Sequence, residues 1–305
     1  MQDDSKPKIA ASGEILWDMF PSGPRFGGAP ANFASHACSL GASVTMVSRV
    51  GSDELGEAAL AKLDEANVDR RYVSQSDQYA TGAVDITLDA NGSASYQFGE
   101  NEAWDHIQWT QPLQALASEV DLVCFGTLAQ RGSTSRATIM RFLGSCNERA
   151  VRLLDLNLRP PHFSEKLIVD SLEQANALKV NDEELVKLAQ MFSLDNSDSE
   201  DDIERSHVKQ LASKFGLSVV AVTSGSRGGL IYREGEFDLC AARRVDVVDT
   251  VGAGDSFTAA LAVGLLREKP IDAINFAACR IAEFVCTQAG PTPRLPAELL
   301  QELSV

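Results

Sequence analysis

The chain has 305 residues, of which 44% are apolar and 23% are charged. These proportions are ordinary for a globular protein, and the length allows one large domain. Lysine and arginine number 27 against 43 aspartates and glutamates, which gives a net charge of −16. This balance argues against a nucleic-acid-binding or anionic-membrane surface, so we expect neither partner. Any phosphate group must meet a local positive potential made by backbone N–H groups and a few basic side chains.

Targeting segments and disulfides are not expected either. The sequence has no apolar run of the roughly twenty residues that a transmembrane helix needs. Its first residues are polar and acidic and lack a signal-peptide pattern. The six cysteines contain no Cys-x-x-Cys pair, and most have apolar neighbours, which favours free buried thiols. Together these features predict a cytoplasmic protein.

The first predicted strand covers Lys8–Gly13, and Glu14–Phe20 continues it beyond a kink. Asp18 is the only carboxylate within an otherwise apolar part of this run. Strand alternation leaves two possibilities open, because the side chain could face solvent or a ligand.

A helix is predicted next. Gly27 and Gly28 have no Cβ atoms, so a ligand can approach their backbone closely. Pro30 suits the first turn of a helix that runs to about Leu40. Asn32 lies in that turn, where its amide group can both donate and accept hydrogen bonds. A simple turn and helix start would also explain these residues.

Several short strands are predicted between about residues 70 and 100. Three alternating segments predict them, near Arg71–Gln75, Ala83–Leu88 and Ser93–Phe98. Between the last two, Asn91-Gly92 is a strong hairpin signal. Clustered short strands within a chain of alternating strands and helices indicate a separate small sheet.

The middle of the chain returns to alternating strands and helices. We predict strands at Asp121–Gly126 and Val151–Leu156, with a helix of about Ser133–Asn147 between them. Arg159 follows the second strand. Its guanidinium could meet a substrate oxygen or a transferring phosphate, or it could simply lie on the surface at the strand end.

Two later strands are followed by polar turns. After the strand Ala177–Val180, Asn181–Glu184 begins a helix whose acidic first turn complements the helix dipole without any further function. After the strand Val219–Val222, Thr223–Gly229 is a glycine-rich turn that leads into the strand Leu230–Arg233. A plain hairpin would explain this second turn.

The segment Asp249-Thr250-Val251-Gly252-Ala253-Gly254-Asp255-Ser256-Phe257 joins a predicted strand end, Val245–Val248, to a predicted buried helix. A helix start leaves about four backbone N–H groups without partners. Those of Gly252, Ala253 and Gly254, together with the helix dipole, can bind an anion. The two glycines also let a phosphate approach the backbone.

Asp255 would repel an anion at this place unless it has another task. It could act as a general base that takes the proton from a hydroxyl attacking the phosphorus. The helix N-terminus should keep its carboxylate ionised at neutral pH. The alternative is that Asp255 only caps the helix and that the glycines only form the turn.

The 249–257 segment resembles the C-terminal signature of the PfkB (ribokinase-like) carbohydrate kinases, and Gly27–Ala34 resembles their N-terminal signature. Alternating strands and helices already favour an α/β sandwich with a mainly parallel sheet. The resemblance implies that residues 1–305 form one three-layer α/β sandwich of this kind. It further implies a small β-sheet lid, built from about 14–26 and 70–105.

The same resemblance assigns roles to individual residues. Those implied to bind the sugar are Asp18, Gly28, Asn32 and Arg159. Those implied to contact ATP are Asn181, Thr223, Gly225 and Gly228. Glu184 is linked to Mg²⁺, which one carboxylate can hold through water. A monovalent cation, K⁺, is implied near the carbonyl groups of Asp249, Val251 and Gly290.

The expected function is therefore transfer of the ATP γ-phosphate to a sugar hydroxyl, with Asp255 as the base. The Gly-Gly-Ala-Pro motif at 27–30 resembles fructokinases and 2-keto-3-deoxygluconate kinases. Both often carry a lid arginine, which is missing around Tyr96-Gln97-Phe98. This favours a neutral sugar, fructose or a related ketose. The alternative is 2-keto-3-deoxygluconate with Arg159 as its carboxylate partner; a nucleoside kinase and a catalytically silent scaffold rank lower. The lid also suggests a homodimer.

Overall fold

The structure is a computed structural model and describes residues 6–21, 23–88, 94–195 and 200–303. The strands among these residues are β1 (Lys8–Ser12), β2 (Leu16–Phe20), β3 (Gly23–Gly27), β4 (Ser43–Gly51), β5 (Asp69–Ser76), β6 (Gly82–Leu88), β7 (Ala94–Phe98), β8 (Leu122–Phe125), β9 (Val151–Asp155), β10 (Ala177–Asn181), β11 (Val219–Thr223), β12 (Gly229–Arg233) and β13 (Glu236–Cys240).

The helices of the described residues are α1 (Ala29–Ser39), α2 (Glu54–Glu65), α3 (Gln111–Glu119), α4 (Ser133–Ser145), α5 (Glu165–Gln174), α6 (Asp182–Met191), α7 (Glu200–Phe215), α8 (Ala253–Leu266), α9 (Ile271–Cys286) and α10 (Ala297–Glu302). None of the helices in these ranges is long and apolar enough to cross a lipid bilayer.

The main sheet of the described residues has nine strands in the order β13-β12-β11-β10-β9-β8-β1-β4-β5. Its strands from β11 to β5 pair in parallel, and β12 and β13 add an antiparallel edge. β1 pairs with both β4 and β8, so the strand order reverses direction around it. Ligands of open α/β sheets bind at such a reversal, outside the carboxyl ends of the strands.

Two layers of helices cover the main sheet. Ile9 and Ala11 of β1 pack into one core with α1, α2, α8, α9 and α10, whereas Ala10 packs into a second core with α3 to α7. Because both faces are buried, the central strands are mostly apolar on both faces rather than alternating. The predicted three-layer α/β sandwich is confirmed.

The predicted lid is a separate four-stranded sheet in the order β3-β2-β6-β7. The lid has one strand fewer than predicted, because β5 belongs to the main sheet, where it pairs in parallel with β4. β4, α2 and β5 form a strand–helix–strand crossover. The alternating pattern of β5 predicts a strand but does not show which strand it pairs with. Asn91-Gly92 lies outside the described residues, but β6 and β7 on either side pair antiparallel, as a hairpin requires.

The predicted strand at Val245–Val248 is wrong, because this segment has no regular secondary structure. It has no partner strand, and Val247 and Val248 are exposed on the surface. The segment is held by a helix end instead, since the N–H groups of Val248 and Asp249 both donate to the Cys286 carbonyl oxygen, at 2.8 and 3.2 Å. This contact fixes the approach of the chain to α8.

Candidate active site

The site lies where the carboxyl ends of the parallel strands meet the N-terminus of α8. Polar residues follow β1, β8, β9, β10 and β11 at this edge, and they include Glu14, Thr127, Arg159, Asn181 and Thr223. The lid strands β2 and β3 lead from β1 to α1 and bring Asp18 and Gly28 to the same region. The predicted site residues are therefore gathered from distant parts of the chain.

Gly252 begins α8 in a left-handed conformation, with φ of 82°. A Cβ atom there would lie 2.3 Å from the Pro291 carbonyl oxygen, so both the conformation and the space require glycine. Within the part of the chain that the structure describes, the N–H groups of Gly252 and Gly254 have no protein acceptor. The Ala253 N–H donates to the Thr250 carbonyl at 3.3 Å. Two of the three predicted anion-binding donors are thus free, and the third is engaged in a long bond.

Asp255 connects the two signature motifs, because its Oδ2 accepts a hydrogen bond from Asn32 Nδ2 at 2.8 Å. Burial and the nearby negative charge of Asp155 raise the pKa of Asp255 to about 6, although Asn32, Lys179 and Arg159 oppose the rise. The pKa of Asp255 therefore lies above its ordinary value despite the position of the residue at a helix N-terminus. The carboxylate is still mostly ionised at pH 7, as a general base must be.

A buried ion pair behind α8 was not recognised from the sequence. Lys179 on β10 lies opposite Asp155 on β9 in the parallel register, with Nζ 3.1 Å from Asp155 Oδ1. Thr258 on α8 donates to the other oxygen of Asp155 at 2.7 Å. A Cβ atom on Gly254 would be 3.1 Å from Lys179 Nζ, so a buried positive charge lies directly behind the anion-binding turn. In the sequence, the only sign of this ion pair is a single lysine within an otherwise apolar predicted strand.

Asp18 faces the site. Its carboxylate lies over Gly27, where a Cβ atom would be 2.8 Å from Asp18 Oδ2. Burial raises the pKa of Asp18 to about 6, against the lowering effect of the charges on Arg159 and Arg25, while Asp249 raises it further. These charges belong to the site, so the half-buried Asp18 is directed towards them.

Gly28 and Arg159 are the two remaining residues expected to bind the sugar. Gly28 has φ of 102°, and a Cβ atom would lie 2.6 Å from the Glu14 carbonyl oxygen, so only glycine fits between β1 and α1. Arg159 is exposed, and among the described residues its side chain donates only to the neighbouring Leu158 carbonyl, from Nη1 at 3.3 Å. The charge of Arg159 lowers the pKa values of the Asp18 and Asp255 carboxyl groups.

A cleft of about 520 Å³ lies on the other side of the α8 start. Three of the predicted ATP-binding residues line it: Thr223, Gly225 and Gly228. The start of α8 and one side of α9 complete a mostly apolar wall. A larger depression of about 830 Å³ lies between α1, α2 and residues 289–294, but it contains none of the predicted sugar- or ATP-binding residues.

Asn181 does not line this cleft but caps α6 reciprocally with Glu184. Asn181 Oδ1 accepts from the Glu184 N–H at 2.8 Å, and Glu184 Oε2 accepts from the Asn181 N–H at 2.9 Å. The other oxygen of Glu184 accepts from the Leu158 N–H at 2.7 Å. The Asn-x-x-Glu pattern thus has a structural role as a capping box.

The donor groups at this edge fit a Mg²⁺ ion held mostly by other ligands. Glu184 keeps one lone pair on each oxygen, and among the described residues no three His, Cys, Asp or Glu side chains are placed to hold a metal. Mg²⁺ commonly keeps several waters and binds through one or two carboxylates together with substrate phosphates.

The carbonyl groups implied to bind K⁺ come from two segments that Asp249 holds close to each other. Its carboxylate accepts hydrogen bonds from the N–H groups of Val251 and Gly290, at 3.0 and 3.2 Å.

Comparison with known proteins gives concordant results. Residues 23–298 match the model of the pfkB family of carbohydrate kinases. Fructokinase-1 of Zea mays is 28% identical over 323 aligned positions, which cover 96% of each chain. The structure of an uncharacterized sugar kinase from Pyrococcus horikoshii superposes with a TM-score of 0.80 at 25% identity, covering 97% of this chain and 100% of the other. A Xylella fastidiosa fructokinase structure with bound ATP gives a TM-score of 0.81 at 22% identity, covering 97% of both chains.

Proposed function

The chain belongs to the pfkB family of carbohydrate kinases, and from this premise we propose that it transfers the γ-phosphoryl group of ATP to a hydroxyl of fructose or a related ketose. One observation carries the proposal. Asp255 receives a hydrogen bond from Asn32 of the N-terminal signature and lies in the first turn of α8, where Gly254, with its free N–H group, lines the cleft. A base and an anion site are thus within one turn of helix.

Asp255 takes the proton from the attacking sugar hydroxyl in this mechanism. The free N–H groups of Gly252 and Gly254 then hold the negative charge of the transferring group, and comparable donors contribute about 3–4 kcal/mol each. Glu184 would help to hold Mg²⁺, and the ion would neutralise negative charge on the ATP phosphates. Phosphoryl transfer needs mainly positioning and such electrostatic stabilisation, so the modest basicity of Asp255 suffices.

The cleft supports ATP as the phosphoryl donor. It has mostly apolar walls, suited to a purine base, and it reaches Gly254 at the start of α8. Gly228 has φ of 106°, and a Cβ atom there would lie 2.0 Å from the Cys240 carbonyl oxygen. Glycine is therefore required at 228 by the chain's own backbone at Cys240, and this close packing holds the glycine-rich turn at the edge of the cleft. The Xylella fastidiosa relative was solved with ATP.

The charges of the sugar side favour a neutral substrate. Burial is the largest cause of the raised pKa values of the Asp18 and Asp255 carboxyl groups, and a substrate carboxylate bound beside them would incur a similar desolvation cost. Of the two arginines near Asp18, Arg25 is paired with Asp249 at 3.0 Å. Only Arg159 is left to meet a sugar acid such as 2-keto-3-deoxygluconate. Fructokinases among the relatives agree with a neutral ketose.

ADP release over a panel of sugars tests the proposal. The panel comprises fructose, tagatose, ribose, glucose, 2-keto-3-deoxygluconate and adenosine, each with wild-type protein and Arg159→Ala. We expect fructose or tagatose to give the highest kcat/KM. A higher value for 2-keto-3-deoxygluconate, lost selectively in Arg159→Ala, would replace the ketose assignment by the sugar acid. A chain that binds no ATP–Mg²⁺ would contradict kinase function and favour a silent scaffold.

The rate should depend on pH through Asp255. Its carboxylate must be ionised to accept a proton, and its pKa is raised to about 6. At saturating ATP–Mg²⁺, kcat/KM for the sugar should therefore fall as the pH decreases below about 6 and stay level above it, as far as this group is concerned. Initial rates between pH 5 and 8.5 would measure this. A profile that is flat down to pH 5 would contradict the assignment of the base.

Asp18→Ala should raise the sugar KM by about tenfold or more, because a carboxylate paired with substrate hydroxyls contributes roughly 1.5–3 kcal/mol. The KM for ATP should change less than twofold. Asp85→Ala is the matched control, since Asp85 lies on the neighbouring lid strand β6 and is exposed. An unchanged sugar KM in Asp18→Ala would remove Asp18 from the sugar site.

A homodimer through the lid remains a prediction. The four lid strands form a sheet separate from the main sheet, so a second copy could pack against this sheet without disturbing the core. Sedimentation equilibrium with and without sugar would determine the oligomeric state. A monomer at micromolar concentration under both conditions would contradict this prediction.

A further inference from the structure

Glu14 occupies a place in the site that no motif assigned. It follows β1, the strand at which the order of the main sheet reverses. Crevices at such reversals are the usual ligand sites of open α/β sheets. Its backbone also lies against Gly28 at the start of α1, so the residue is fixed between the sheet and the N-terminal signature.

The Glu14 side chain is buried without being satisfied. The residue is only 4% exposed, and within the described part of the chain Oε2 has no hydrogen-bond partner. A buried carboxyl oxygen without a partner costs free energy, and native proteins keep few of them. The backbone N–H groups of Glu14 and Ala29 lie close enough to the carboxyl to lower its pKa. A structural role at the start of α1 would therefore explain one oxygen but not Oε2.

A small cavity beside Glu14 lies close to the proposed base. Its volume is about 10 Å³ and its lining is mostly apolar; the polar residues that line it with Glu14 are Thr127, Asp155 and Asn157, at the ends of β8 and β9. This is room for one water molecule or one hydroxyl group. Ala29 also lines the cavity and lies one helical turn before Asn32, which donates to Asp255. The charge of Asp255 also raises the pKa of Glu14.

A second buried acceptor without a donor lies on Asn32, next to Asp255. Asn32 donates to Asp255 through Nδ2, and its Oδ1 is buried with no partner among the described residues. Two acceptors without donors thus lie in the region of the proposed base. A sugar with several adjacent hydroxyl groups supplies the missing donors, whereas a flat or apolar ligand would not.

We propose that Glu14 is a further sugar-binding residue, which pairs through Oε2 with a substrate hydroxyl other than the one that is phosphorylated. This inference rests on the proposed function. Burial raises the pKa of Glu14 to about 7, so near neutral pH the carboxyl can either donate to or accept from that hydroxyl. The protonated form also avoids a further negative charge beside Asp255.

The test is a coupling experiment between Glu14→Gln and monodeoxy forms of the best sugar from the panel. Glu14→Gln should lower kcat/KM for the parent sugar by 10- to 100-fold and leave the KM for ATP unchanged. For the one deoxy form that lacks the paired hydroxyl, wild type and variant should have kcat/KM values within threefold of each other. Glu302→Gln is the control, because it changes another buried, unpartnered Oε2 in α10 and should show no such dependence.

A purely structural role of Glu14 would give a different set of kcat/KM ratios. If Glu14 only supports the start of α1, the ratio of wild-type to variant kcat/KM is the same for the parent sugar and every deoxy form, and the inference is overturned. Should Glu14→Gln fold poorly, Glu14→Asp, which withdraws the carboxyl by one methylene, must show the same dependence on the analogue. A wild-type chain without sugar kinase activity would overturn both the function and this inference, whereas equal ratios in an active enzyme overturn only the inference.

Discussion

Replacing Asp255 by Asn should lower kcat by about 10²–10⁴-fold, the usual contribution of a general base. An amide keeps the size of the side chain and can still bond to Asn32, but it cannot take the proton of the sugar hydroxyl. ATP and sugar should bind with dissociation constants within about threefold of those of the wild type. Single-turnover rates, together with calorimetric titration of both ligands, would measure this.

The stability of the same variant separates lost chemistry from lost structure. Burial raises the folded-state pKa of Asp255 to about 6, above the ordinary value of 3.8 for an aspartate. The folded protein therefore binds this proton more tightly, and wild-type stability falls as the pH rises between these values. Asp255→Asn lacks this effect, so its Tm relative to the wild type should increase from pH 4 to 6 and then level off. Near-normal turnover, or a Tm well below that of the wild type at pH 7.5, would contradict the assignment.

The glycine-rich start of α8 could be predicted from the sequence because its chemistry is local. Gly252 adopts the left-handed conformation that its residue type allows, and Asp255 follows within the first turn. The hydrogen bond between Asn32 and Asp255 joins residues 223 positions apart. No spacing in the chain shows such a contact, and only the resemblance to a family placed both residues in one site.

Other features depend on tertiary partners that a pattern does not contain. The alternation at Val245–Val248 is that of a strand, but no strand edge is available and the backbone bonds to α9 instead. The segment of β5 alternates as a lid strand would, yet it pairs with β4. At Asp255, burial raises the pKa and outweighs the helix dipole, which would lower it. The extent of burial depends on tertiary packing, so the direction of the pKa shift could not be predicted from the sequence.

The ion pair between Lys179 and Asp155 explains how a chain with a net charge of −16 holds phosphate. The net surface charge is unfavourable, so the positive potential must be local: Arg243 and Arg244 line the cleft, and further positive charge comes from inside the fold. Free N–H groups of Gly252 and Gly254 form the front of the anion site, and the Lys179 ammonium lies behind it. Asp155 and Thr258 hold that ammonium in place.

Lys179→Met should therefore cost about 3–5 kcal/mol of unfolding free energy, because it leaves Asp155 buried without its partner. Both residues are only 6% exposed, so water cannot replace the lost ammonium. The charge of Lys179 also lowers the pKa of Asp255. The acid limb of the kcat/KM profile should consequently shift to higher pH in this variant. Urea denaturation at pH 7.5 and initial rates from pH 5 to 9 would measure both effects.

A double variant, Asp155→Asn with Lys179→Met, distinguishes the charge pair from simple packing. Removing both charges should recover more than half of the lost stability, since no buried charge is left alone. It should also return the acid limb towards its wild-type position, because Asp155 raises the pKa of Asp255 and Lys179 lowers it. Lys166→Met is the surface control. Lys166 pairs with Asp170 but is 79% exposed, so its loss should change stability by less than about 1 kcal/mol. If the double variant is less stable than Lys179→Met alone, the pair does not act through its charge.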